Sequence, residues 1–128
     1  MLDTDICVQV VRDRPPELRQ AFNEAADQLC ISAITLAELW HGAEKSARPA
    51  HNRQVVEEFA ARLEVLPFAE AAAAQYGQLR AELERAGQPI GAHDMLIGAH
   101  ARSQGLILVT RNRREFDRIP GLRVESWA

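Results

Sequence analysis

A short, fully apolar run that directly follows an apolar helix constrains the fold of this chain more than any other feature. The run is Leu106–Val109 (LILV). The segment before it, His93–Gln104, carries apolar residues on nearly every side at helical spacing and is stopped by Gly105. Four uninterrupted apolar residues are too few for a helix and are typical of a strand buried on both faces. Such strands belong to parallel sheets covered by helices, so this pair of segments predicts an α/β fold.

The rest of the chain repeats this alternation of short apolar runs and amphipathic segments. We therefore expect a parallel sheet that is covered on both faces. A chain of 128 residues, 47% of them hydrophobic, is large enough for one domain with a real core. Strands are predicted at Met1–Asp3, Leu29–Ser32, Val65–Leu66, Leu106–Val109 and Leu122–Val124, and helices at Pro15–Ala26, Thr35–Lys45, Val55–Leu63, Glu70–Ala86 and His93–Gln104.

Composition and charge exclude some classes of protein. No apolar run is long enough to predict a membrane span, and the acidic N-terminus does not read as a secretory signal. Cys7 and Cys30 stand in apolar stretches without CxxC spacing, so we expect buried thiols, a reducing compartment and a cytoplasmic location. The net charge of -3 argues against wholesale binding of nucleic acid.

The arginines are nevertheless concentrated near the C-terminus. Six arginines and two acids lie between Arg102 and Arg123, a local balance of +4. The guanidinium group is suited to phosphate, and the candidate contacts are Arg111, Arg113 and Arg114. A solvated helical face explains scattered arginines equally well.

The predicted topology brings two polar strand ends together. In open parallel α/β sheets the ligand crevice lies beyond the carboxyl ends of the strands. Asp3 ends the first predicted strand, and Thr110 follows the run Leu106–Val109. We therefore expect Asp3 and Thr110 to meet in that crevice.

Two acids near the N-terminus raise a question of function against capping. Asp3 and Asp5 form a DxD pair between apolar residues, where an unpaired buried carboxylate is costly. Asp5 could simply cap a helix that begins near Ile6, which is an ordinary role for Asp. Asp3 lies too early for that cap, so it is the better candidate for a functional acid.

Three further acids are candidates, each with a structural alternative. Glu38 could belong to a capping box, Thr35-x-x-Glu38, in which the Glu reaches back to the cap residue. Asp94 could be a first-turn carboxylate favoured by the helix dipole, although its helix is so apolar that its N-terminus should be buried near Asp3. Glu115 follows the best strand and could be ordinary solvated charge. The polar residues Thr110 and Asn112, at the same strand end, could orient a water molecule or a carboxylate.

The ligand types at this crevice select a hard cation. His93 and His100 have no recognised zinc spacing, and no thiol accompanies the acids. Carboxylate and water ligands suit Mg²⁺ or Mn²⁺. One or two such ions support hydrolysis of a phosphodiester, because they activate water and neutralise charge on the scissile phosphate. Nearby arginines could guide the polyanion in.

Four blocks of the sequence, in this order and spacing, resemble one family. The similarity is to the PIN-domain toxins of the VapC type, the ribonuclease halves of VapBC toxin–antitoxin pairs. It is carried by MLDTDIC, ISAITLAELWHGAEKS, IGAHDMLIGAHARSQGL and LVTRNRREFDRIPGLRVESW. The resemblance covers essentially the whole chain. It implies a single domain over residues 1–128, with an α/β/α sandwich around a five-stranded parallel sheet.

The resemblance also implies a catalytic site. The family's first three acids match Asp3, Glu38 and Asp94, and the more variable fourth acid best matches Glu115. The implied cofactor is Mg²⁺ or Mn²⁺, held by Asp3 and Asp94 with Glu38 and Glu115 as further candidate ligands. Thr110 and Asn112 match supporting polar positions, and Asp5 is a candidate supporting residue. Similar toxins cut structured RNA, often tRNA, dimerise, and are held inactive by a VapB-type antitoxin.

The chain departs from the family pattern at three places. Asp5 stands where Asn is usual, His93 precedes Asp94 where other residues are common, and members often have more residues before the first acid, so the natural start could lie upstream. Two alternatives therefore stay open. One is a binding module that keeps the fold without catalysis. The other is a phosphotransferase of the haloacid-dehalogenase type, which shares only the pattern Asp3-Thr4-Asp5 and would need a lysine near the site.

Overall fold

A computed structural model describes residues 1–12 and 15–127 of the chain. Asp13, Arg14 and Ala128, the last of which ends the predicted domain, lie outside the described residues. The helices are α1 (Thr4–Val11), α2 (Pro16–Ala25), α3 (Ala33–Glu44), α4 (Pro49–Ala60), α5 (Glu70–Arg85), α6 (Ala92–Ser103) and α7 (Arg113–Phe116), with a 3₁₀ turn at Ala26–Gln28. The strands are β1 (Cys30–Ser32), β2 (Glu64–Leu66), β3 (Ile107–Val109) and β4 (Arg123–Glu125).

The strands form two parallel pairs that are linked by the N-terminus. In one pair β1 runs beside β2, and in the other β3 runs beside β4. Leu2 forms a parallel bridge with Val109, and its N–H also donates to the carbonyl of Cys30 at 2.9 Å. The segment Met1–Asp3 therefore lies between β1 and β3. It makes further backbone hydrogen bonds with β3, from the N–H of Val109 to the carbonyl of Met1 at 2.8 Å and from the N–H of Asp3 to the carbonyl of Val109 at 2.9 Å. It forms an isolated bridge rather than a regular strand, so the predicted count of five strands is not confirmed.

Helices cover both sides of these strands, as the apolar runs predict. Neighbouring strand residues point to opposite faces, and they belong to different apolar clusters. Leu2 and Val109 pack with α1, α2, α3 and α4, whereas Met1 and Leu108 pack with α5, α6 and α7. This division gives the layered α/β/α arrangement that was predicted.

Several element boundaries differ from the predictions for local reasons. Helix α1 begins at Thr4 rather than near Ile6, and Asp3 is its cap residue. The alternative that Asp5 caps this helix is therefore wrong, and so is the expectation that Asp3 lies too early to cap it. Helix α3 begins at Ala33 because Ser32 caps it by accepting from the N–H of Ile34 at 3.1 Å. The capping box from Thr35 to Glu38 is therefore wrong as well.

Two smaller expectations have mixed outcomes. Gly105 follows α6 with a φ of 65°, a left-handed conformation that suits glycine and ends the helix as predicted. Cys7 is buried as expected, but Cys30 is only half-buried. Every helix of the described ranges is too short or too polar to cross a membrane.

Candidate active site

Asp3 and Thr110 meet at the carboxyl ends of Met1–Asp3 and β3, as the topology predicts. Both residues are buried. The hydroxyl of Thr110 donates to Asp3 Oδ2 at 2.8 Å, and the backbone N–H of Thr4 donates to Asp3 Oδ1 at 2.8 Å. Thr110 Oγ1 itself accepts from the backbone N–H of Asn112 at 2.9 Å. Both oxygens of Asp3 are therefore fixed by short contacts.

The surroundings of Asp3 oppose its negative charge. Burial is the main cause that raises the pKa of Asp3, to about 8, and the charge of Asp5 adds to it. The hydrogen bond from Thr110 acts in the opposite direction, and Asp94 is a smaller source of repulsion. A buried carboxyl whose pKa is shifted this far by burial and like charge is a common mark of a functional site.

Asp5 adds an unsatisfied anionic oxygen to this region. Its Oδ1 atom is buried and has no hydrogen-bond partner. Its charge raises the pKa of both Asp3 and Asp94. An orphaned buried oxygen beside two acids is an arrangement that a cation would stabilise.

Glu38 reaches the site from α3 and is held at both oxygens. The hydroxyl of Thr4 donates to Glu38 Oε1 at 2.8 Å, and Nδ1 of His93 lies 3.0 Å from Glu38 Oε2. The Glu38 side chain is 25% exposed, whereas the His93 side chain is 66% exposed. The Glu38 side chain therefore lies mostly inside the crevice, and the His93 side chain lies where the crevice opens to solvent.

Asp94 and Glu115 form one wall of the crevice and are joined by Asn112. The side-chain amide of Asn112 donates to Asp94 Oδ2 at 3.4 Å and makes a short contact with Glu115 Oε2. Glu115 Oε1 also accepts from the N–H of Gly91 at 3.2 Å. Burial, followed by the interaction with Glu115, raises the pKa of Asp94 to about 7. The pKa of Glu115 is lowered, chiefly by its hydrogen bond with Asp94.

A glycine allows this wall to form. Gly98 of α6 lies against Ile119 and Phe116, and a Cβ atom at this position would overlap the Ile119 side chain. The absence of a side chain lets the segment around α7 approach α6, and that approach brings Glu115 to Asp94.

The predicted acids thus come together at one crevice. The three predicted arginines differ from one another in their contacts. Arg111 and Arg114 are exposed, while Arg113 contacts Asp117 at 3.4 Å. A haloacid-dehalogenase-type phosphotransferase would require a lysine beside Asp3. Lys45 is the C-cap residue of α3 and does not fill that position. A cavity of about 590 Å³ lies at the other end of the strands, around Cys30 and Leu106, and does not include these acids.

Sequence reasoning missed Thr4 as a site residue. It contacts Asp3 through its backbone and Glu38 through its hydroxyl. Its position between the two acids of the DxD pair was the available signal, because the residue after a capping Asp begins a helix beside the sheet edge.

The donor set suits a hard cation. Carboxylates from four separate parts of the fold (Asp3, Glu38, Asp94 and Glu115) lie close enough for their charges or hydrogen bonds to act on one another. Within residues 1–12 and 15–127, no three His, Cys, Asp or Glu side chains are already arranged as a metal cluster. Mg²⁺ is commonly bound through one or two carboxylates while it keeps several waters, so a looser acidic crevice fits it better than a closed cage.

The parallel strands, the covering helices and the acids at one sheet edge define an α/β domain with an acidic centre. A family model described as "PIN domain" matches residues 1–122. The chain therefore belongs to the PIN domain family. Sequence identity of 49–51% to proteins named VapC, over 96–97% of their length, places it in the VapC group of that family.

Individual relatives are similar along their whole length. The chain is 50% identical to the tRNA(fMet)-specific endonuclease VapC of Shigella flexneri, over 100% of this chain and 97% of that protein. It is 49% identical to ribonuclease VapC of Haemophilus influenzae strain 86-028NP, over 99% and 96%. The crystal structure of DNA-bound VapBC from Salmonella typhimurium matches with a TM-score of 0.96 and 51% identity, covering 100% of this chain and 97% of that chain. VapBC2 from Rickettsia felis, bound to a promoter DNA fragment, matches with a TM-score of 0.94 and 39% identity, covering 100% and 98%.

Proposed function

We propose that this chain is the endoribonuclease toxin of a toxin–antitoxin pair, and that it hydrolyses structured RNA, with tRNA as the substrate, using Mg²⁺ or Mn²⁺. The observation that carries the proposal is the buried carboxyl of Asp3 at the same sheet edge as Asp94 and the unpaired oxygen of Asp5. The names of its relatives, tRNA(fMet)-specific endonuclease and ribonuclease, support RNA as the substrate class.

Asp3 and Asp94 would hold the cation, with Glu38 and Glu115 at the edge of its shell. When bound, the cation activates a water molecule and neutralises charge on the scissile phosphate. The chain prepares this site with fixed donors. Thr110 and the amide of Thr4 hold Asp3, and Asn112 lies between Asp94 and Glu115. Donors that are already in place reduce the reorganisation needed when substrate and cation arrive.

The exposed arginines at the start of α7 would bind the RNA backbone. Arg111 directly follows Thr110, and neither Arg111 nor Arg114 is engaged by a described acid. Arg113 also lies here but shares its charge with Asp117. Positive groups on this rim would offset the repulsion between RNA and the acidic crevice.

An antitoxin segment would be the regulating partner. A groove of about 230 Å³ between α1, α3 and α4 is lined by Glu38 together with apolar residues that include Val8, Leu39 and Val55. Solved structures of similar chains are VapBC complexes, which supports a VapB-type partner and a homodimer or hetero-oligomer with it. The cytoplasm, where RNA and antitoxin meet, is the proposed location.

Cleavage of cellular RNA by the purified, antitoxin-free chain tests this proposal. Total RNA and isolated tRNA are incubated with Mg²⁺, with Mn²⁺ and with EDTA, beside the variants Asp94→Asn and Asp27→Asn. Asp27 is an exposed acid in the 3₁₀ turn before β1, so it is a matched control for charge removal. We expect discrete fragments that form only with metal. The cleavage rate should fall by about 100-fold or more in Asp94→Asn and should be unchanged in Asp27→Asn.

Two results would contradict it. Cleavage that continues in EDTA, or that is unchanged by Asp94→Asn, would exclude the proposed site. No cleavage by protein shown to be folded would favour a silent binding module, and release of phosphate from monoesters without RNA cleavage would favour a phosphotransferase.

A further inference from the structure

Thr4 occupies a position that connects two of the candidate acids. It is the first residue of α1, directly after Asp3, and its backbone N–H donates to Asp3 Oδ1 at 2.8 Å. Its hydroxyl donates to Glu38 Oε1 on α3, also at 2.8 Å. One residue therefore holds an acid from the strand edge and an acid from a separate helix.

The hydroxyl of Thr4 has two possible acceptors but only one proton. Thr4 Oγ1 lies 2.8 Å from Glu38 Oε1 and 3.1 Å from Thr35 Oγ1. A carboxylate is the stronger acceptor, so the proton belongs on the bond to Glu38. The hydroxyl of Thr35, which is fully buried, is then free to donate to Thr4 Oγ1. The result is a directed chain from Thr35 to Thr4 to Glu38.

These hydrogen bonds restrict the conformation of the Glu38 side chain more than its position on α3 alone does. A Glu side chain has several rotatable bonds, and this one is 25% exposed, so it could turn toward solvent. The hydrogen bond from Thr4 keeps the Glu38 carboxylate at the crevice, while the contact with His93 comes from the exposed side. Loss of the hydroxyl would leave the fold in place, together with the hydrogen bond from the Thr4 backbone N–H to the Asp3 carboxylate. It would release the Glu38 side chain.

We propose that Thr4 is a positioning residue for the nuclease reaction, which acts by fixing the Glu38 carboxylate relative to Asp3 through its hydroxyl. The inference rests on the function proposed above. It concerns turnover rather than RNA binding, because Thr4 acts on the carboxylates of Asp3 and Glu38, to which it is hydrogen-bonded. Thr4→Val is the sharpest change, since it keeps the branched shape and the backbone N–H and removes only the hydroxyl.

Steady-state cleavage by three variants tests the assignment. We expect Thr4→Val to lower kcat about tenfold with KM for RNA unchanged, the size expected for losing a hydrogen bond to a charged group. Thr4→Ser restores the hydroxyl and should keep kcat within about twofold of the parent. Thr35→Val removes the same group one bond further from Glu38 and should lower kcat only about twofold to threefold.

A second measurement reads the contact without any activity. Thr4→Val and Glu38→Ala are combined in a double-mutant cycle on chemical unfolding in EDTA. If the bond exists in solution, Thr4→Val will reduce the folding equilibrium constant several-fold less in the Glu38→Ala background than in the parent.

The outcomes separate this inference from the proposed function. If the parent cleaves RNA but Thr4→Val retains full kcat, raises only KM, or is not rescued by Ser, the positioning role of Thr4 is wrong while the nuclease function stands. The same conclusion follows if Thr35→Val is as damaging as Thr4→Val. If the folded parent cleaves nothing, the proposed function fails and this inference fails with it, whatever the unfolding cycle reports.

Discussion

Asp3 and Glu115 are both acids of one crevice, yet their environments act on them in opposite directions. Asp3 is 3% exposed, and its pKa is raised to about 8, chiefly by burial and then by the charge of Asp5. Glu115 lies nearer the surface, and its pKa is lowered, chiefly by the hydrogen bond with Asp94, with further contributions from Gly91 and Asn112. The buried region around Asp3 and Asp5, which we call the floor of the crevice, therefore opposes negative charge. The wall at Glu115 favours it.

This contrast indicates where a cation would act most strongly. Two donors fix the geometry of Asp3, but they do not offset its burial beside another carboxylate. A cation at the floor would remove this repulsion, while a cation beside Glu115 would compete with donors already present. The two acids should consequently respond differently to removal of their charge.

Asp3→Asn tests the floor and should produce the largest effect. The variant is expected to lose RNA cleavage by about 1,000-fold, because Asp3 is the proposed central ligand. Metal-free protein at pH 8 should nevertheless become more stable, by on the order of 1 kcal/mol, because a charge opposed by burial is gone. An asparagine can still accept from the Thr4 amide and donate to Thr110, so the local hydrogen bonds survive.

Thermal or chemical unfolding in EDTA measures this gain, and a cleavage assay measures the loss. Asp27→Asn, which removes an exposed acid at the other end of the sheet, should change neither. A clear loss of stability in Asp3→Asn would show that the floor is not electrostatically strained.

Glu115→Gln tests the wall and should change stability in the opposite direction. The amide can still accept from Gly91, but its NH₂ group then faces the NH₂ group of Asn112, so one contact is lost. We expect a loss of about 0.5–1.5 kcal/mol in unfolding free energy and a decrease in cleavage of about tenfold. Denaturant unfolding and initial rates give both values. Equal stability shifts for Glu115→Gln and Asp3→Asn would remove the distinction between floor and wall.

The sequence predicted which residues belong to the crevice better than it predicted the contacts that those residues make. The run Leu106–Val109 and the polar residue after it placed Thr110 beside Asp3, because the ends of parallel strands share an edge. The capping assignments failed, since Asp5 and Thr35 are good cap residue types but Asp3 and Ser32 occupy the cap positions. Caps depend on where the chain leaves a strand, and a difference of one or two residues is invisible to local preference.

Contacts between distant segments were beyond the sequence for a different reason. The Glu38–Thr4 bond spans 34 positions, and the approach of Glu115 to Asp94 depends on the close packing at Gly98. No spacing rule connects such residues. The opposite pKa shifts of Asp3 and Glu115 follow from these contacts, so they too required the structure.

A buried histidine provides the pH dependence against which the acids should be compared. His100 is fully buried, its Nδ1 lies 2.8 Å from Ser32 Oγ, and burial lowers its pKa from the ordinary 6.5. Below about pH 6.5 the unfolded chain takes up a proton that the native histidine resists. The stability is therefore fully present above this pH and is lost as pH falls toward the lowered native pKa.

The prediction is best measured where the strained acid has been removed. In the Asp3→Asn background, His100 should lower the free energy of unfolding between pH 6.5 and pH 5 by at most about 1.4 kcal/mol per pH unit. The raised pKa of Asp94 acts in the opposite direction in the same range, so the contribution of His100 is measured as a difference between variants. Adding His100→Asn preserves a polar contact to Ser32 and should remove the His100 contribution, so the variant loses less stability, or gains more, as pH falls through this range, even though the smaller side chain can lower stability at every pH. His51→Asn alters an exposed histidine in the first turn of α4 and should leave the slope unchanged. An equal slope with and without His100 would contradict this assignment, because burial of the imidazole would then leave no mark on the pH dependence of unfolding.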